Sequence, residues 1–104
     1  METYDMNPID EIIQFDLPAI AKTIKEYSTD NFVQSYADQL LQVRYPSETQ
    51  RLYVLVGRLV AWYDEVIETI RKDPYVHAKD AHAKSHRLLK KLFELICAQI
   101  DCHQ

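Results

Sequence analysis

An all-α fold follows from three features of the sequence. Only one glycine occurs in 104 residues, no stretch alternates apolar and polar residues as a strand would, and apolar residues recur at spacings of three and four. Turn signals are few: Ser28-Thr29-Asp30, Tyr45-Pro46-Ser47 and Asp73-Pro74. They divide the chain into an antiparallel helical bundle with two shorter N-terminal helices and a long C-terminal αα-hairpin. Residues 1–104 are expected to form a single helical domain, with 1–7 flexible.

The first elements are short. After Asn7-Pro8, the trio Ile9, Ile12 and Ile13 predicts an opening turn of helix. Asp16 is placed to cap the next helix, with Pro18 in its first turn and Leu17, Ile20, Ala21 and Ile24 along one face. Asp30 starts the following helix, where Val33, Tyr36, Ala37, Leu40 and Leu41 keep the helical period. Ser47 and Gln50 have the spacing of a capping box and mark the start of a long helix over 47–72.

Asp73-Pro74 separates 47–72 from a second long stretch, 75–102, with almost no room for a loop. Proline has no amide hydrogen and disfavours helical geometry in the residue before it, yet it fits the first turn of a new helix. One helix therefore ends at Lys72 and the next begins at Tyr75, folded back on the first. In that register Leu55 is level with Leu92, Leu59 with Leu88 or Leu89, and Glu65 with His82, while Asp64 falls within a turn of His86.

The 47–72 helix is apolar on two sides. Leu52, Leu55, Val56, Leu59, Trp62, Tyr63, Val66 and Ile70 form a broad stripe, with Val54, Gly57 and Ala61 opposite. Glycine inside a helix costs roughly 1 kcal/mol relative to alanine, and beside Ala61 it leaves a shallow strip that another backbone can approach. Val54, Gly57 and Ala61 are the candidate interface, to be covered by the N-terminal helices or by a second chain in a homodimer.

In the last helix Leu89, Leu92, Phe93, Ile96 and Ile100 set the inward stripe, and stepping back by the helical period leads to His86, His82 and Ala78. Histidines four residues apart can reach one metal ion, and helical bundles build metal sites from facing carboxylates and histidines. His82 and His86 are therefore the candidate metal ligands. The Glu-x-x-His pair usual in di-metal bundles is absent, since Lys79 and Ala83 stand at those places. The plain structural role is hydrogen bonding to carboxylates or carbonyls on the buried face. Cys102-His103 adds two further donors at the terminus.

The net charge of −4 is unevenly spread: residues 1–70 carry twelve acidic and five basic side chains, residues 71–104 four acidic and seven basic. Lys79, Lys84, Arg87, Lys90 and Lys91 give the last helix a basic face. An acidic chain lacks the broad positive field that drives nucleic-acid binding, so this face is expected to be solvated, and nucleic acid is not an expected partner. No apolar run reaches the roughly 18 to 20 residues that cross a bilayer. Met1-Glu2-Thr3-Tyr4-Asp5 is acidic where a signal peptide would be basic and then apolar, and the expectation is a cytoplasmic protein with no membrane partner. Cys97 and Cys102 sit about 140° apart on the helical wheel and cannot bridge within one helix, as expected of free thiols in a reducing compartment.

Two short stretches resemble known families. Ala81-His82-Ala83-Lys84-Ser85-His86-Arg87-Leu88 resembles the phosphorylated helix of histidine phosphotransfer domains. Those are helical bundles of about this size, whose exposed histidine is followed by a basic and a small residue, usually glycine; here Lys84 and Ser85 come one position early. Arg71 and His77 resemble the Arg-x5-His pair of HEPN-type ribonucleases, in which a dimer brings two such pairs together for RNA cleavage. Lys72 replaces the usual polar residue after the arginine, and Pro74 interrupts the motif. Glycine-rich phosphate loops and Cys-x-x-Cys patterns are absent, so no cofactor and no catalytic residue is assigned. What remains is a small intracellular helical protein acting through protein association, as a regulatory or accessory subunit and as a homodimer. Histidine phosphotransfer, metal binding and HEPN-like RNA cleavage are the alternatives.

Overall fold

The computed structural model describes residues 7–102; of the segment expected to be flexible, residues 1–6 lie outside it. Among the described residues every regular element is helical: α1 (Pro8–Glu11), a π-helical turn (Ile12–Asp16), α2 (Leu17–Tyr27), α3 (Asn31–Leu40), α4 (Thr49–Lys72) and α5 (Lys79–Cys102). None of these helices is long and apolar enough to cross a membrane.

Local chemistry explains where each helix starts, and in three places it departs from the expectation. Asn7 caps α1 by accepting the Ile9 amide at 2.8 Å, with Pro8 in the first turn. Asp16, expected to cap α2, makes no capping bond and keeps helical backbone angles (φ −103°, ψ −36°). The chain therefore runs on without a break from Pro8 to Tyr27. Pro18 accounts for the π turn: it has no amide hydrogen for the carbonyl of Gln14, and just before it the ladder widens, Leu17 bonding to the carbonyl of Ile12 five residues back. Asp30 caps α3 as expected, its Oδ1 accepting the amides of Phe32 at 2.8 Å and Val33 at 3.3 Å.

The Ser47 and Gln50 capping box does not form. Glu48 is the residue at the start of α4, and its carboxylate reaches backwards to accept the Arg44 amide at 2.8 Å. That bond draws the Glu48 pKa below the usual carboxylate range. Thr49 Oγ1 donates to the Pro46 carbonyl at 2.7 Å, so the loop is tied to itself and Ser47 stays exposed. The third departure is the start of α5. Asp73 Oδ1 accepts the Tyr75 amide at 2.8 Å and the Asp73 carbonyl accepts the Val76 amide at 3.3 Å, making a turn in which Pro74 holds the second position. Residues 75–78 are spent on this connection, and α5 begins at Lys79 instead of Tyr75.

Packing follows the apolar faces. The α2 helix lies against α3 and α5, α3 against α4, and α4 against α5, while α1 and the π turn also rest on α5. Leu17 and Ile24 of α2, Leu52, Leu59 and Ile70 of α4, and Leu89, Leu92 and Ile96 of α5 are all at most 1% exposed. Each such side chain contributes roughly 1.5 to 3 kcal/mol by leaving water. Tyr53 of α4 stacks on Phe93 of α5 with ring centres 4.9 Å apart. Further along α4, Tyr63 meets His82, nearer the start of α5.

Candidate functional site

His82 and His86 lie one turn apart on α5, and both face α4. His82 is only 2% exposed, and its Nδ1 lies 2.8 Å from the hydroxyl of Tyr63, itself fully buried. Burial lowers the His82 pKa, since the charged imidazolium would lose its hydration. Burial also raises the Tyr63 phenol well above its ordinary range, against the opposing pull of the Ser85 hydroxyl. Both groups are neutral in the fold. A phenol is the stronger acid and an imidazole nitrogen the better acceptor, so the Tyr63 hydroxyl donates to Nδ1 and the His82 proton resides on Nε2. Tyr27 and Trp62 complete the surroundings, Tyr27 meeting the His82 ring edge to face at 5.2 Å and Trp62 lying 4.7 Å from the Tyr63 ring.

His86 has a different neighbour. Its Nε2 lies 2.8 Å from Asp64 Oδ1, with the histidine side chain 17% exposed and the aspartate 55% exposed. Asp64, which the register set within a turn of His86 without fixing its aim, is the partner of that histidine. Glu65, expected level with His82, is exposed and makes no hydrogen bond to it among the described residues; Tyr63 takes that place. Sequence reasoning missed this partner although Tyr63 belongs to the same apolar stripe as Leu59. The clue was a hydroxyl on the inward face at nearly the right height.

The two candidate metal ligands are therefore directed to separate groups on α4. Among the described residues, no group of three or more His, Cys, Asp or Glu side chains is arranged to hold a metal ion. His103 and the side chain of Cys102 lie outside the described residues, and Cys97 is a half-buried free thiol. Ala78, expected on the buried face, is exposed because it precedes α5. The burial of His82 differs from the exposed histidine of phosphotransfer domains. Arg71 donates to Glu68 at 2.7 Å, and His77 sits exposed in the connection before α5.

The candidate interface is split by the packing. A Cβ on Gly57 would lie 3.0 Å from Phe93 Cε1, so α5, neither the N-terminal helices nor a second chain, occupies the space beside the glycine. Val54 and Ala61 remain exposed, Val54 at 45%. Arg51 and Arg58, one turn to either side of Val54, are folded towards α3: Arg51 donates to Gln39 Oε1 and Arg58 to the Tyr36 hydroxyl, each at 3.2 Å. On α5 the exposed Lys84, Arg87, Lys90 and Lys91 form no ion pair among the described residues, whereas Lys79 donates to the Arg71 carbonyl at 3.0 Å. Comparison with protein-family models, with curated proteins and with solved structures finds no match.

Proposed function

We propose that the chain is an antiparallel helical bundle, two shorter N-terminal helices followed by a C-terminal αα-hairpin, that acts through protein association as a regulatory or accessory subunit and pairs with a second copy of itself along α4. The observation that carries this reading is the uncovered outer ridge of α4. Val54 stands exposed between two arginines whose long side chains are bent away to α3, and Ala61 is exposed one turn beyond Arg58. Charge is unevenly spread along the ridge, with Arg51 and Arg58 towards its N-terminal half and Glu65 and Glu68 towards its C-terminal half, Glu68 being paired with Arg71. A two-fold axis near the middle of the ridge sets two α4 helices antiparallel. The basic half of each copy then lies over the acidic half of the other, while Val54 and Ala61 allow close approach.

Sedimentation over a range of concentrations tests the pairing. The wild-type chain is expected to dimerise, and high salt should weaken the dimer because the complementary charges lie at the surface. Val54→Asp should give a monomer with an unchanged helical circular-dichroism spectrum. A wild-type chain that stays monomeric at the highest accessible concentration overturns self-association.

A further inference from the structure

Beside the Tyr63 and His82 pair lies a cleft of about 360 Å³ that is separate from the α4 ridge. Its lining comes from Thr23, Glu26 and Tyr27 of α2, from residues 75–78 of the connection before α5, and from the buried His82. His82 is 98% withdrawn from solvent, yet only its Nδ1 is bonded among the described residues. Every fully sealed side-chain polar atom described here has a partner. Nε2 is therefore not fully sealed, and His82 is a lining residue of the cleft. With Nδ1 accepting from Tyr63, Nε2 carries the proton and presents a single fixed donor.

We propose that this cleft binds a small, neutral aromatic molecule bearing a carbonyl acceptor, its ring lying against Tyr27, Tyr75 and Val76 and its carbonyl oxygen accepting from His82 Nε2. The cleft is within the size range of small-molecule sites, and its lining sets the apolar and aromatic surface of Tyr27, Tyr75 and Val76 beside the polar Thr23, Glu26, His77 and His82. Tyrosine faces and edges suit a flat ring. The fixed N–H requires an acceptor and disfavours an ammonium group, while the Glu26 carboxylate disfavours an anionic one. A neutral acceptor offends neither group, and His77 is the remaining histidine of the lining.

Titration of the full chain with benzamide, followed by NMR, tests the site. Saturable shifts are expected in the His82 imidazole and Val76 methyl signals, with benzoate and benzylamine each binding several-fold more weakly. Ala78→Trp places a large ring in the cleft from an exposed connection position and should abolish the benzamide shifts while the melting curve is retained. The proposal is overturned by the absence of saturable shifts, by benzoate or benzylamine binding as tightly as benzamide, or by undiminished binding to a folded Ala78→Trp chain. Dimerisation through α4 is read by a different measurement, so the two ideas fail separately.

Discussion

Tyr63 and His82 each satisfy the other in a place where water cannot. Tyr63→Phe keeps the ring but leaves a buried imidazole nitrogen without its donor, a loss worth about 1 to 3 kcal/mol. Urea denaturation should show that decrease, whereas Asp64→Asn should cost no more than about 1 kcal/mol because its pair with His86 is open to solvent. The pH response belongs to His82, whose folded pKa is lowered by burial. Its unfolded value is about 6.5, so as pH falls the unfolded chain takes up the proton first. The contribution of this group is complete above that value and is lost as pH drops towards the folded pKa. Denaturation from about pH 5 to pH 8 should show wild-type stability declining on the acid side of 6.5, with that decline reduced in His82→Gln. Stability that rises on acidification would contradict the neutral buried imidazole. The inward placement of both histidines was legible from their period with Leu89, but the identity of each partner was not. Choosing between Tyr63 and Glu65 needs the rotation of α4 about its own axis, which helical spacing alone leaves free.

At the scale of the elements, two similar cap signatures have different fates. Asp30 bonds two amides of α3, and Asp30→Ala should cost about 0.5 to 2 kcal/mol. Ser47 bonds nothing in α4, and Ser47→Ala should stay within about 0.5 kcal/mol of wild type; thermal melts of the two variants make the comparison. The difference lies in the preceding loop, where Glu48 and Arg44 bond each other and set the entry to α4. A local pattern locates a cap only when nothing nearby competes for its groups. Gly57 teaches a related lesson: the wheel gave its angle, but the neighbour that fills the space, Phe93, comes from a helix 36 residues further along. Tyr53 braces Phe93 by stacking, so Gly57→Leu should overpack this contact and cost about 1 to 3 kcal/mol. Much of that cost should disappear when the same change is made in Phe93→Ala, and a double-mutant cycle measures the coupling. Additive effects would remove Phe93 as the cause.

For the whole molecule, the all-α class was legible because period, turn residues and glycine scarcity agree, whereas the neighbours of each helix depend on contacts between distant residues. Those contacts are unequal. The α5 helix touches α4, α2, the π turn and α1, and α4 touches both α3 and α5. The α3 helix is 10 residues long, carries Phe32 73% exposed in its first turn and is followed by Leu41 at 53%. The α3 helix buries Val33, Ala37 and Leu40, whereas α4 buries Leu52, Leu55, Val56, Leu59, Tyr63 and Ile70 and α5 buries Leu89, Leu92 and Ile96, so the two openings should have different free energies. Native-state hydrogen exchange is expected to find the slowest amides near residues 55–59 of α4 and 89–92 of α5, exchanging only by global unfolding. Amides of α3 should exchange through a cheaper local opening, and Asp30→Ala, by removing the cap, should lower the free energy of that local opening. Because Asp30→Ala also lowers global stability, the α4 and α5 core amides should lose protection as well, and the difference between the two opening energies is the quantity to compare. Amides of α3 as protected as those of α5, and falling in step with them in the variant, would mean that all the helices unfold as one unit and would overturn this ordering.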